Sequence, residues 1–484
     1  MRVLFVHSEE DFFSVKKPLE SFDRMQFGIS YISSFLKEKG HQTRLVVPTP
    51  ETLDVIEEHI RRFDPGLVCF TSVYSVYEFL ASVAADIKKK HPDLPIAVGG
   101  PYPSLRPEEC LDVFDIACVG EGEYATLELI EQLERGEQPS GIANLYIKKE
   151  NGEIEKNPPR PFLEDIDSLP FPDRDMWVPW LANPLSRPSV LGGRGCPFQC
   201  TYCSNHALKK VADGRYVRHR KPEAVAGEIA EIKARFPLLE EIYLEVEDMC
   251  SVHGWALEIC RCLEEMNAGF ELPIRYGANL RVTPKTDFEE LFTACEKANF
   301  RFVNIGLESG SERVRRDILK RNYSNEDIIS AVETLRRHDM QVGFYNLIGI
   351  PGETKEDFKE TIRINRICQP DWYLLSVFYP YPGTRLYDVC EERGLLNSNF
   401  NRKLERRQPG LKLPEFSKRQ IKRRYNFSPL LIYGGHRPKK EVLRHVILSE
   451  IYSNIWTTRV WRKLTSRNSP YKQFEDIEVS WENE

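Results

Sequence analysis

Three cysteines, Cys196, Cys200 and Cys203, lie on one short stretch, Gly192-Gly193-Arg194-Gly195-Cys196-Pro197-Phe198-Gln199-Cys200-Thr201-Tyr202-Cys203. Thiolates are metal ligands, and C-x3-C-x2-C spacing lets each sulfur take a different iron of a four-iron four-sulfur cubane, while the glycines let the backbone curl around it. One iron is then left without a protein ligand. The competing readings are a structural zinc, a disulfide pair and three inert buried thiols. A closed zinc site wants a fourth donor, and Cys250 is 47 residues beyond Cys203, so His206 would have to stand in.

These residues need elements to position them. The first 140 residues alternate short β-branched runs (Val3–Val6, Leu45–Val47, Leu67–Thr71, Ile96–Val98, Ile116–Val119) with amphipathic stretches near Ile29–Lys39, Leu53–Phe63, Phe79–Lys90, Pro107–Val113 and Thr126–Arg135. That rhythm predicts a doubly wound parallel sheet. Asn151-Gly152 marks a tight hairpin turn with positive φ favoured at both positions, and a proline-rich connector follows. From residue 188 a second alternation begins, with strands expected at Ser189–Leu191, Ile242–Val246, Arg275–Ala278, Phe302–Gly306, Gln341–Ile348 and Trp372–Phe378. Its helical partners point to a partial (β/α)6 barrel, with the cysteine stretch directly after the first strand. The expected divisions are 1–145, a hairpin and linker at 146–187, the barrel at 188–395 and a helical appendage at 396–484. In both α/β units, ligands belong beyond the carboxyl ends of the strands.

At 484 residues the chain is long enough for two substantial cores. The amino terminus meets acids at Glu9, Glu10 and Asp11 and does not read as a signal peptide, and no apolar run is long enough to cross a bilayer, so a cytoplasmic protein is expected. Twelve cysteines in a reducing compartment favour metal binding and ordinary burial over disulfides. Net charge is −6, yet residues 401–450 carry fourteen Lys and Arg against four Glu, a local +10 that leaves −16 on the remainder. Lys418-Arg419 and Lys422-Arg423-Arg424 sit beside Tyr425 and Phe427, and Val442–Leu464 reads as an amphipathic helix. The segment suits a cap over the barrel with a solvated basic face, an anionic membrane surface, or nucleic acid.

In the first unit the ligand edge gathers His7-Ser8, Thr71-Ser72-Val73, Gly99-Gly100-Pro101 and Gly120-Glu121-Gly122-Glu123. No G-x-G-x-x-G follows the first strand, which argues against a dinucleotide. The second unit places Glu245, Glu247 and Asp248 at a strand end, where a solvated acidic tip is the plain alternative. It also carries Ile305-Gly306-Leu307-Glu308-Ser309-Gly310-Ser311, then Ile348-Gly349-Ile350-Pro351-Gly352-Glu353-Thr354, where an ordinary strand-to-helix turn capped by Thr354 is the plain reading.

With its cysteine stretch and these segments in order, the chain resembles the radical S-adenosylmethionine superfamily over residues 1–395, and within it the members with an amino-terminal cobalamin-binding domain. The resemblance implies that Cys196, Cys200 and Cys203 ligate a four-iron four-sulfur cluster. It also implies that the open iron chelates S-adenosylmethionine and that electron transfer cleaves its sulfonium–carbon bond to give a 5′-deoxyadenosyl radical. Tyr202 is implied near the adenine. Glu247 and Asp248, with Glu245 as the alternative, would bind the methionyl ammonium; this departs from the commoner glycine-glycine-glutamate wording. Glu308 and Ser309 belong to the ribose-contacting segment, and Gly349, Pro351 and Gly352 to the turn beside the adenosine. Arg281 and Lys320-Arg321 are candidates for the cofactor's carboxylate. Ser72, Gly99, Gly100, Gly120 and Glu121 fall in the cobalamin-binding half. The D-x-H-x-x-G sequence that supplies a lower axial histidine is absent, so cobalamin would be bound without that ligand.

The activity expected from the resemblance is cobalamin-dependent methylation of an unactivated carbon on a small-molecule or lipid-like substrate, with an external one-electron reductant such as flavodoxin or ferredoxin. Radical cyclisation or rearrangement without methyl transfer is the alternative. A nonenzymatic metal-cluster protein that binds nucleic acid through the basic tail is a third reading, which the acidic remainder of the chain opposes.

Overall fold

The computed structural model describes residues 1–9, 12–396, 405–452, 456–458 and 460–461. Two units emerge: Met1–Pro188 with Ala207–Arg218, and Ser189–His206 with the described residues from His219 onward.

Strands covered by helices on both faces must be apolar on both sides. In the first unit, β1 (Arg2–Val6) has Val3, Leu4, Phe5 and Val6 all buried. With β2 (Gln42–Val46), β3 (Leu67–Thr71), β4 (Ile96–Gly99) and β5 (Ile116–Cys118) it forms a parallel sheet in the order β2-β1-β3-β4-β5. The order reverses between β1 and β3, the place where such sheets open a crevice for ligands.

Two details differ from expectation. The helix expected at Pro107–Val113 is a pair of short turns, Pro101–Leu105 and Pro107–Cys110, broken at Arg106 because a residue before proline is driven out of the helical region. The hairpin of β6 (Leu145–Lys148) and β7 (Ile154–Lys156) extends the sheet antiparallel from β5. In its turn Gly152 has φ +82° and Asn151 is not left-handed, so the loop is longer than a two-residue turn. Nor is the proline-rich stretch a loose tether. Trp177 and Trp180 are buried in the first unit, their indole N–H groups donating to Ser30 Oγ (2.9 Å) and the Leu45 carbonyl (3.1 Å).

In the second unit, β8 (Ser189–Leu191), β9 (Glu241–Glu245), β10 (Arg275–Leu280), β11 (Phe300–Glu308), β12 (Gln341–Ile348) and β13 (Trp372–Val377) pair in sequential order, all parallel, with β8 and β13 as open edges. This is a partial barrel of six strands. Ile242, Leu244, Ala278, Val303 and Phe344 face the helices, packing with Val225, Ile229, Ile259, Leu291 and Ile328. The inner face is aromatic and polar. Tyr243 donates to Asn279 Oδ1 (2.6 Å), Trp372 donates to Asn304 Oδ1 (3.0 Å), and Phe302 lies between the two rings. Glycines make that filling possible: a Cβ on Gly277 would stand 2.0 Å from Phe302, and one on Gly343 2.1 Å from Trp372.

The described part of 396–484 packs on the barrel. Leu411, Leu413, Phe416 and Ile421 share a core with Ile348, Ile350, Phe358 and Val377. Helices Lys418–Asn426, Ser428–Tyr433 and Lys439–Tyr452 follow, the last being where Val442–Leu464 was expected; residues 453–455, 459 and 462–464 of that range lie outside the described residues. No helix among the described residues is long and apolar enough to cross a membrane.

Candidate functional site

The end of β8 launches the cysteine loop. Gly192 N–H donates to the Glu245 carbonyl (2.8 Å), tying the loop's start to β9, and Gly195 turns the chain at φ +85°. Thr201 pins its middle, with Oγ1 donating to the Ile318 carbonyl (2.7 Å) and its own carbonyl accepting Leu386 N–H (3.0 Å). All three thiols are free. Burial pushes Cys196 up to about 12 and Cys203 up to about 11, opposed by backbone N–H groups of Phe198 and Asn205 and reinforced by the charge of Glu247. Such sulfurs stay protonated until a metal cation offsets the cost of burying thiolate.

His206 is a poor fourth donor, because Arg385 N–H already donates to its Nε2 (3.2 Å). Among the described residues, the metal-ligating atoms that converge within 4.8 Å belong to Glu223, Glu258 and Cys262, away from the loop. A mononuclear zinc would need the motif sulfurs to converge in that way; a cubane, with one iron per sulfur, does not.

Two arginines, from distant points of the chain, meet at Cys200. Arg281 Nη1 donates to its Sγ at 3.0 Å, and Arg321 Nη1 lies 3.9 Å from it. Arg321 also donates to Tyr202 OH (3.1 Å), the Gly306 carbonyl (2.8 Å) and Tyr323 OH (2.9 Å), and pairs with Glu308 (3.3 Å). Glu308 adopts φ +57° at a bulge in β11, and a Cβ on Gly306 would stand 2.6 Å from its carboxylate, so a side chain there would displace the Glu308–Arg321 pair. Burial raises the Tyr202 hydroxyl well above its ordinary value.

The remaining expected residues separate into groups. Glu247 is exposed and its charge acts on Cys196 and Cys203; Glu245 is half-buried on the inner face of β9. Asp248 is buried. Its Oδ1 accepts N–H from Arg281 (2.9 Å) and Cys250 (3.1 Å), its Oδ2 has no partner, and burial raises its pKa. Ser309, expected near the ribose, is instead fully buried in the turn after β11, where its Oγ accepts Ser311 N–H (3.2 Å) and lies 3.5 Å from Thr361. Gly349 and Gly352, both at φ +81°, flank Pro351 in a turn held by Glu353, whose Oε2 accepts N–H from Gly349 (2.6 Å) and Ile350 (3.3 Å). Thr354 and Asp357 cap the next helix reciprocally, so the plain reading of that turn holds as well.

In the first unit, Ser72, Gly99, Gly100 and Gly120 lie at the carboxyl ends of β3, β4 and β5. Gly100 (φ +107°) has no room for a side chain: a Cβ would stand 2.7 Å from the Ser72 carbonyl. Glu121, beyond the end of β5, is tied into the first unit by its own contacts. Its carboxylate pairs with Arg218 (2.9 Å) and accepts Leu163 N–H (2.8 Å). His7 is buried, with Nε2 3.3 Å from Glu9 and its ring edge-on to Trp177.

Sequence reasoning missed the barrel's inner ring, the Arg281–Cys200 bond and the Glu121–Arg218 pair, each of which joins residues far apart in the chain.

The chain thus joins a parallel partial barrel, whose first strand runs into a three-cysteine loop, to an α/β unit of order 2-1-3-4-5. The Radical SAM superfamily matches residues 190–364 and the B12 binding domain residues 22–130. An uncharacterized methyltransferase of Pyrococcus horikoshii is 28% identical over 430 residues, covering 86% of this chain and 90% of its own. The anaerobic magnesium-protoporphyrin IX monomethyl ester cyclase of Rubrivivax gelatinosus is 23% identical over 380 residues, 75% of this chain and 66% of its own. The cobalamin-dependent S-adenosylmethionine radical enzyme OxsB, solved with aqua-cobalamin and S-adenosylmethionine bound, superposes with a TM-score of 0.70 at 15% identity, covering 97% of this chain and 76% of its own. The chain is a radical S-adenosylmethionine enzyme with a B12-binding domain.

The cofactors of that pairing are a four-iron four-sulfur cluster, S-adenosylmethionine and cobalamin. The residues present fit them. The cysteine loop offers three free sulfurs beside a buried guanidinium, and the first unit gathers the small residues Ser72, Gly99, Gly100 and Gly120 at the carboxyl ends of its parallel strands.

Proposed function

We propose that this enzyme transfers a methyl group to an unactivated carbon of a small-molecule or lipid-like substrate. The observation that carries the reading is the joining, in one chain, of a radical S-adenosylmethionine domain and a B12-binding domain, along nearly the full length of a relative named as a methyltransferase. Bound together, the cofactors supply one-electron cleavage of a sulfonium and a carrier for a methyl group.

The protein's own residues bind and orient. Cys196, Cys200 and Cys203 hold the cluster. Asp248 and Glu247, beyond the end of β9, would receive an ammonium group, and Glu308, paired with Arg321, would accept from ribose hydroxyls. Tyr202 and the Gly349–Gly352 turn would bound the adenosine. Ser72, Gly99, Gly100 and Gly120 would lie under the corrin, held without a lower axial histidine; the Glu9 carboxylate already sits against His7 Nε2. The electron must come from outside, from a low-potential carrier of the flavodoxin or ferredoxin type. The described carboxyl-terminal helices expose Leu430, Leu443 and Ile447 near Arg419, Lys422, Lys440 and Arg444, which supports an anionic membrane surface as a working location.

Anaerobic purification with iron and cobalt analysis tests this, followed by assay of the products of S-adenosylmethionine. S-adenosylhomocysteine accumulating beside 5′-deoxyadenosine is expected. 5′-Deoxyadenosine alone would refute methyl transfer and favour a cyclase-like reaction, as named for the Rubrivivax relative.

A further inference from the structure

Burying a guanidinium is costly unless an anion or strong acceptor meets it. Arg281 is buried, yet the described partners of its side chain are a sulfur and a ring: Cys200 Sγ at 3.0 Å and the face of Phe198, with the guanidinium carbon 3.6 Å from the ring centroid. Both partners belong to the cysteine loop. The backbone of Arg281 is fixed independently, its N–H donating to the buried Asp248 carboxylate at 2.9 Å. Arg321 differs, since Glu308 lies 3.3 Å from it. Arg321 is thus ion-paired, whereas Arg281, although its charge acts on the buried Asp248, forms no ion pair among the described residues and directs its side-chain hydrogen bond at the middle cysteine.

We propose that Arg281 is a positioning residue for the cluster: it holds the Cys200 sulfur and raises the cluster's reduction potential, and it does not bind the carboxylate of S-adenosylmethionine. This rests on the cluster assignment made above. Three thiolates on a cubane core of charge 2+ give a net charge of −1, and one electron from an external reductant takes it to −2. A cationic donor on a ligand sulfur favours the more negative state. Phe198 stacked over the guanidinium excludes water and keeps that interaction strong. Lysine would preserve the charge but lose the planar fork and the stacking.

The test compares wild type, Arg281→Met and Arg281→Lys as full-length, anaerobically reconstituted proteins. The midpoint potential is read by electron paramagnetic resonance during titration with titanium(III) citrate without S-adenosylmethionine, and affinity for S-adenosylmethionine by equilibrium dialysis. At a fixed potential, the reduced-to-oxidised ratio of the Met variant is expected to fall at least tenfold, about 59 mV for a one-electron couple. The Lys variant should fall between, with affinity for S-adenosylmethionine within twofold of wild type for both. An unchanged potential with weakened affinity would assign Arg281 to the carboxylate and overturn the inference, as would no change in either. If the Met variant assembles no cluster, the Lys variant decides, and a potential equal to wild type refutes the proposal. A wild type that assembles no cluster removes the cluster assignment itself, whereas a wild-type cluster indifferent to Arg281 removes only this inference.

Discussion

Glu353 is fully buried in the turn after β12, with Oε2 accepting two backbone N–H groups and Oε1 lacking any partner. Burial outweighs those two donors and, helped by the nearby Asp357, raises its pKa from 4.5 to about 8. The folded protein therefore keeps this proton over a range in which the unfolded chain has lost it. Stability from this group is fully present below about pH 4.5 and falls as pH rises towards 8, because the folded state binds more protons across that window. At 1.36 kcal/mol per unit, the displacement amounts to something on the order of 4–5 kcal/mol across the window. Glu353→Gln keeps a carbonyl for both N–H groups and removes the titration. Urea unfolding of both proteins at pH 5, 6.5 and 8 isolates the effect as the difference between them, since other titrating groups cancel. Wild type should lose several kcal/mol relative to the variant from pH 5 to pH 8. Parallel stability curves would show that the carboxyl ionises in the ordinary range and that the reasoning from burial fails.

Gly343→Ala drives a methyl into Trp372 and should cost about 1–3 kcal/mol in a thermal melt, whereas Gly254→Ala, with open space around it in the first turn of a helix, should leave the melt no lower and raise stability by up to about 1 kcal/mol. Glu228→Gln strands the guanidinium of Arg220, with which Glu228 forms a buried ion pair, and should destabilise the barrel unit by roughly 3–5 kcal/mol; a loss below 1 kcal/mol in urea unfolding would contradict this. Gly100→Ala, whose methyl would push the Ser72 backbone out of place at the strand ends, should at least halve cobalt retained per chain with iron content unchanged, and equal cobalt would mean that this strand-end loop does not hold the corrin. Sedimentation with phosphatidylglycerol vesicles, weakened by salt and by Leu443→Glu with Ile447→Glu, is expected if the carboxyl-terminal helices meet a membrane; no binding at low salt would discard that role.

Much of the architecture was readable because its strands carry apolar positions at regular spacing: Leu67–Thr71 is apolar on both faces, and Ser189–Leu191 and Gln341–Ile348, apolar on the face toward the helices, also have the bounds expected of them. The cysteine loop was readable because its chemistry is compressed into eight residues. What surrounds it was not. Arg281 and Arg321 reach Cys200 from 81 and 121 residues away, and the sequence marks them only as candidates for the cofactor's carboxylate, with no sign that they meet that sulfur. The internal contacts of Ser309 and Glu121 were hidden for a related reason. A polar residue beside a glycine at a strand end reads equally well as a ligand contact or as an internal clasp, and only the position of Thr361 or Arg218 decides which.

The strip Ala207–Arg218 departs from the catalytic barrel's sequence a few residues after Cys203 and is built into the first unit, where Arg218 clasps Glu121 and Tyr216 lies 5.1 Å from Phe162. The polypeptide is thus woven through both units instead of being strung from one to the next. A fragment cut at residue 188 would take with it an unmatched carboxylate and an uncovered aromatic, so the corrinoid module cannot be borrowed or exchanged by severing a single hinge. Any recombination that inherits one unit must carry this short patch of the other's reading frame along with it.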